Sequence, residues 1–306
     1  MTGRGVVLLF GIIAPAPAPA RAQDAAPRLE HLTVTIDGEP LAVWARRPQH
    51  PRGAILLVHG VTWSSRPDFD LQVPGESRSV LAGLAARGYA AYAVDLRGYG
   101  GSPRDETGWL TPDRAADDVN EVLGWIAATA PMPKRPVLLG WSNGSLVSQL
   151  AAQRHPDRIA GLILYGYPLD PDDRFPSGGD PQVPPRERNT AADAASDFIS
   201  PAVTSKATIE AYVAAALADD PIRTDWRRFD EWNALDPARV LVPTLLIQGE
   251  RDPSIPAAAL ARLYARLGTR DKSRVTLKYG DHAALLETTT PTFIDAVTGF
   301  VDRVLR

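Results

Sequence analysis

The chain has 306 residues, a formal charge of −3 and 44% hydrophobic residues, which suits one large α/β domain with an insertion, or two small domains, around a sizeable core. The near-balanced charge includes no basic run, which argues against nucleic acid as a partner. The absence of cysteine excludes disulfides, thiolate metal sites, a cysteine nucleophile and a bacterial-type lipoprotein anchor.

Taken in chain order, residues 1–22 read as a secretory signal peptide. Arg4 precedes the apolar run 6–13, and an Ala/Pro stretch ends in Ala20-Arg21-Ala22, so cleavage is expected after Ala22. The apolar run is too short to span a bilayer. A secreted or periplasmic protein without a stable membrane anchor is therefore expected, and a chain without thiols suits an oxidising compartment. Residues 29–35 and 41–45 alternate apolar and polar side chains around Asp37-Gly38, as a half-exposed antiparallel hairpin does. Continuous apolar runs follow at 54–58, 89–94, 137–139, 159–165, 244–247 and 275–277, which suits parallel strands covered on both faces. Helical patterns lie at 76–87, 112–128, 145–154, 256–267 and 291–305. The alternation predicts an α/β fold with a doubly wound, mostly parallel sheet.

The alternation breaks at 170–239. This stretch opens polar and rich in Pro and Gly over 171–185, then shows helical patterns at 206–218 and 226–235. It is too long for an ordinary connection. Phe198, Tyr212, Trp226, Phe229 and Trp232 mark it as a packed helical cap. The expected organisation is a core of residues 23–169 and 240–306 with a cap or lid at 170–239.

Gly140-Trp141-Ser142-Asn143-Gly144 follows an apolar run and opens a helix. A serine at a sharp strand-to-helix turn is a nucleophile elbow, with glycines where strand and helix crowd. A hydroxyl needs an adjacent base. Of the five histidines, His282 alone follows a late strand; His31, His50 and His155 lie in a hairpin, a loop and a helix end, and His59 sits in a Gly-bearing loop. The imidazole needs a carboxylate to fix its tautomer. Asp252, just past the strand at 244–247, is read as that acid, with Glu250, Asp281 and Asp170 as competitors. The oxyanion needs two N–H donors: Asn143 after the nucleophile, and Val61 in His59-Gly60-Val61-Thr62. Trp63 and Trp141 are candidate substrate contacts.

Together, His59-Gly60, Asp95-Leu96-Arg97-Gly98-Tyr99-Gly100-Gly101-Ser102, the elbow, Gly249-Glu250-Arg251-Asp252 and Gly280-Asp281-His282 resemble the α/β-hydrolase superfamily over about residues 29–306. The resemblance implies eight strands with the cap inserted after the sixth, and a serine hydrolase that needs no metal or cofactor. It implies no usual catalytic role for Asp95 to Ser102. Asn143 departs from the Met, Gln or Leu of many relatives; its backbone N–H is unaffected and its amide is free to contact substrate. Serine at position 142 argues against the dehalogenase and epoxide-hydrolase chemistries of that superfamily, which use a carboxylate nucleophile. The expectation is an ester or lactone hydrolase acting on a small molecule. Amidase, peptidase, thioesterase and C–C hydrolase activities use the same three residues. A non-catalytic binding protein of the same fold is the reading of another class. Proline-iminopeptidase-like activity is disfavoured because no Gly-Gly-Pro continues from His59.

Overall fold

The computed structural model describes Met1 and residues 27–130, 132–254 and 256–306. The expected signal peptide, Met1 apart, and its cleavage point lie outside the described residues. Strands β1 (Glu30–Ile36) and β2 (Glu39–Arg46) form a hairpin whose register runs from Glu30↔Ala45 to Ile36↔Glu39. Asp37 and Gly38 at its tip have φ of 51° and 85°, the positive pair that a two-residue type I′ turn requires.

Strand β3 (Ala54–Val58) leads through α1 (Ser65–Phe69) and α2 (Val80–Ala86) into β4 (Ala90–Val94). A two-residue strand, β5 (Trp109–Leu110), precedes α3 (Pro112–Thr129). Then come β6 (Val137–Trp141), α4 (Asn143–Arg154) and β7 (Gly161–Tyr165). The long connection holds α5 (Ala191–Ala195), α6 (Lys206–Asp219) and β8 (Asp225–Trp226). The chain closes with β9 (Thr244–Gly249), α7 (Ala257–Arg266), β10 (Lys272–Leu277) and α8 (Thr290–Val304). Among the described residues, eight strands make one sheet in the order β1-β2-β4-β3-β6-β7-β9-β10, antiparallel at β1, β2 and β4 and parallel from β4 onward. The strand period of two divides the core. Leu56 and Val58 face α3, α4 and α7, whereas Ile55 and Leu57 face α2 and α8.

Two expected elements differ. Helix α2 begins at Val80, not at Glu76, because the Ser79 hydroxyl accepts from Ala82 N at 2.9 Å and ends the helix there as its N-cap. The pattern at 226–235 is not one helix. Asp225 and Trp226 pair in parallel with Trp109 and Leu110, and a 3₁₀ turn follows at Phe229–Ala234. Trp226 stacks on Trp232 at 6.2 Å and donates from Nε1 to Tyr99 Oη at 2.7 Å, so its contacts with the sheet domain override helical periodicity. No helix among the described residues is long and apolar enough to cross a membrane.

An ion pair fixes the loop after β4 to α3. Arg97 Nε and Nη2 donate to the two Asp118 oxygens at 2.7 and 3.0 Å, with side chains 2% and 1% exposed. Removing one partner of such a pair leaves a buried charge uncompensated. Asp118→Ala is therefore expected to cost about 3–5 kcal/mol, read from urea unfolding. A loss below about 1 kcal/mol, the range of exposed pairs, would contradict this account.

Candidate active site

The site forms where β3, β6, β7, β9 and β10 end, at the carboxyl edge of the sheet. Ser142 occupies the turn between β6 and α4 with φ 53° and ψ −125°. A non-glycine residue there costs about 1–3 kcal/mol and persists only when its surroundings over-determine it. Here Ser142 N donates to Tyr165 O at 2.9 Å and Ser142 O accepts from Ser145 N at 2.8 Å. The N–H groups of Asn143 and Val61 have no acceptor among the described residues. Both stand beside Ser142, one at the first residue of α4, the other one residue past Gly60. A Cβ placed on Gly60 would lie 3.6 Å from Ser142 Cβ, so the loop passes directly over the serine.

His282, after β10, and Asp252, after β9, meet beyond the end of β7. His282 Nδ1 lies 2.9 Å from Asp252 Oδ2, and the Asp252 side chain is fully buried. Burial pushes the Asp252 carboxyl up, but the hydrogen bond and charge of His282 and the Ser254 donors outweigh it and hold the group below its ordinary value. The carbonyl of His282 accepts from Trp141 Nε1 at 3.0 Å and from Tyr165 Oη at 2.7 Å, fixing the loop from behind. Ser142 and His282 line one cavity of about 50 Å³ with Gly60, Val61, Trp63 and Trp141. Their side chains are not hydrogen-bonded to each other in it, a looseness ordinary in unliganded sites.

The competing acids go elsewhere. Glu250 accepts from Tyr279 N at 2.8 Å, and Asp170 pairs with Arg262. Asp281 turns away from His282 into the core, where it accepts from Ser200 N and Ala283 N. Beside it, burial and the Asp281 carboxyl push Glu287 up to about 8. His59 is buried, and burial lowers its pKa to about 4. Its Nε2 accepts from Leu96 N at 3.0 Å, so Nδ1 carries the proton toward Gly60 O at 2.8 Å. That arrangement braces the Gly60 loop. The candidate substrate contacts Trp63 and Trp141 both border the cavity; of the aromatics in 170–239, Trp226 and Trp232 are packed in the core, and Phe229 is exposed.

Sequence reasoning missed four residues here. Gly166, at φ 56° past β7, is the floor under the pair: a Cβ there would stand 3.0 Å from His282 Cε1 and 3.4 Å from Asp252 Oδ2. Ser254, two residues after Asp252, touches both members of the pair. Part of its signal was present in Asp252-Pro253, since an Asp carboxylate accepts from the backbone N–H two residues on in an Asx turn, here Ser254 N at 2.9 Å. Asp68 and Asp197 also line the cavity, and Tyr212 Oη lies between them, 2.9 and 3.0 Å from their oxygens. The phenol thus bridges two buried carboxyl groups. Burial and the charge of Asp197 push Asp68 well up; burial pushes Asp197 to about 6.

The Asp197 shift has a sign that stability measurements read. An acid whose folded pKa exceeds its unfolded value is held protonated more tightly by the folded state. Its favourable contribution is complete below the unfolded value of 3.8 and is lost as pH rises through about 6. Asp197→Asn, which keeps the shape and removes the charge, is expected to leave Tm unchanged near pH 4 and to raise it by about 2–4 °C at pH 7.5. A variant with the wild-type Tm at both pH values would remove the buried-acid account.

Residues 49–289 match the family described as "Serine aminopeptidase, S33". Over 250 residues the chain is 28% identical to a pimeloyl-acyl-carrier-protein methyl ester esterase of Aeromonas hydrophila, covering 72% of this chain and 88% of that one. It is 28% identical over 222 residues to the serine hydrolase BPHL of Mus musculus, covering 66% and 64%. Among solved structures, a serine hydrolase involved in carbazole degradation superposes with a TM-score of 0.63 at 17% identity, over 90% of this chain and all of that one. The thioesterase domain from the curacin biosynthetic pathway gives 0.60 at 20% identity, over 91% and 100%.

Proposed function

The chain belongs to the serine aminopeptidase S33 family and is a serine hydrolase of the α/β-hydrolase fold, and on that premise we propose that it cleaves a carboxylic ester, or a lactone, through Ser142, His282 and Asp252. Ser142 Oγ attacks the acyl carbon while His282 Nε2 takes its proton. The N–H groups of Val61 and Asn143 hold the developing oxyanion. His282 returns the proton to the leaving alkoxide, and water, activated by the same imidazole, releases the acid. Asp252 keeps the Nδ1 proton in place and stabilises the imidazolium. The carrying observation is a strained serine flanked by two unpaired N–H groups in one cavity with an imidazole that is carboxylate-bound at 2.9 Å. Esterase relatives support the ester class.

Residues 170–239 are proposed as the cap. They supply Asp197 to the cavity, and Asp220 anchors them to the sheet domain by accepting from Ser64 N and Gly100 N, both at 2.8 Å. The cavity, about 50 Å³, is smaller than the usual ligand pocket of about 300 Å³ or more, and movement of this segment to admit substrate is part of the proposal. Export is proposed from the N-terminal pattern, and the secreted protein should begin at Gln23.

The test is a panel of p-nitrophenyl esters from acetate to palmitate, lactones and an aminoacyl anilide. Turnover of short and medium esters or lactones is expected. Turnover of the anilide alone would replace esterase by peptidase. Activity that rises to the longest chains at an oil interface would indicate a lipase.

A further inference from the structure

The pairing of His282 with Asp252 has a third participant. Ser254 Oγ lies 2.6 Å from His282 Nδ1, closer than the carboxylate oxygen at 2.9 Å, and it also contacts Asp252 Oδ1. Ser254 N donates to the same Oδ1 at 2.9 Å. We propose that Ser254 is a positioning residue that locks His282 with its proton on Nδ1 and its lone pair on Nε2. This rests on the reading of His282 as the base for Ser142.

The argument is a count of hydrogens. Three close contacts join Oγ to Oδ1, Oγ to Nδ1 and Nδ1 to Oδ2. If Nδ1 carries hydrogen and the hydroxyl points at Asp252, all three are donor–acceptor pairs. The Nδ1–H is then shared between a carboxylate and a hydroxyl oxygen. If instead Nδ1 is bare and the hydroxyl points at it, lone pairs oppose one another at Oγ–Oδ1 and at Nδ1–Oδ2. Only the first assignment satisfies the geometry, and it leaves Nε2 free to accept the serine proton. The hydroxyl therefore acts twice: it stabilises the Asp252 carboxylate and gives the ring proton a second acceptor, so the imidazole plane is held from two directions. Gly166 below and the Trp141 ring, 5.6 Å from the imidazole centroid, close the remaining sides.

The experiment compares wild type, Ser254→Ala and Ser254→Thr as full-length mature protein. Labelling by an alkyl fluorophosphonate is followed by intact mass for rate constant and apparent affinity, and the His282 Nδ1–H proton is observed by NMR in the downfield region. Ser254→Ala is expected to lower the maximal labelling rate about tenfold with the affinity unchanged, and to move the Nδ1–H resonance. Ser254→Thr, which keeps the hydroxyl, restores both. An alanine variant that labels at the wild-type rate overturns the proposal. So does a threonine variant as slow as alanine, which would mark a packing role. If wild type takes no label at Ser142, it is the nucleophile reading that fails; the resonance then decides Ser254 alone, and an unmoved Nδ1–H in the alanine variant overturns its role.

Discussion

Ser142→Ala is expected to lower kcat by about 10⁴- to 10⁶-fold and to abolish fluorophosphonate labelling, with no loss of Tm. The size follows from what remains. The variant keeps the unpaired N–H groups of Val61 and Asn143 and the imidazole held by Asp252, which on the proposed mechanism should still bind and polarise an acyl group. On the proposed mechanism it lacks only the atom that forms the covalent bond, and the expected residual rate is that of water attacking a polarised carbonyl. Nucleophile and base act as a unit, so Ser142→Ala combined with His282→Ala should be no slower than Ser142→Ala alone. Steady-state hydrolysis of a p-nitrophenyl ester, with intact mass after labelling, checks both statements. A variant that retains a tenth of the activity, or an adduct on another residue, would move the nucleophile elsewhere.

The elements that built this site were legible in the sequence for a physical reason. Parallel strands buried on both faces are continuous apolar runs. A hairpin with one wet face alternates, and its turn carries Asp37-Gly38 because the backbone there needs positive φ. The elbow, the Gly60 loop, Asp252 and His282 each follow a strand, so the C-terminal edge gathers them. What the sequence did not reveal depends on contacts between distant segments. Asp68, Asp197 and Tyr212 come from α1, from the loop after α5 and from α6, and no local pattern says that they share protons. The pairing of Trp109-Leu110 with Asp225-Trp226 spans over a hundred residues and involves two on each side, too few to show a period. Helix α1 is five residues long, with Pro67 inside it, and a single turn leaves no amphipathic stripe to read. Gly166 carries no local signal because its requirement is set by the ring of His282, 116 positions away in sequence.

Gly144→Ala is expected to destabilise the protein by about 3 kcal/mol and to suppress labelling of Ser142, whereas Gly299→Ala should stabilise it by about 1 kcal/mol. Both glycines lie inside helices, α4 and α8, without positive φ, and intrinsic helix propensity favours alanine at each. Space decides the sign. A Cβ at Gly299 meets nothing within 4 Å. A Cβ at Gly144 would stand 2.3 Å from the carbonyl oxygens of both Val58 and His59, and 2.8 Å from Val58 C. These are backbone atoms of β3 and its loop, so no rotamer change relieves the clash, and α4 must lift away from the sheet. The same shift should carry Ser142 and the Asn143 N–H away from the Gly60–Val61 loop and disperse the proposed oxyanion donors. A stability loss without a loss of labelling would show that the elbow tolerates this movement, and that Gly144 serves packing alone. Urea unfolding of both variants beside wild type, with labelling rates measured where each is folded, separates the two consequences.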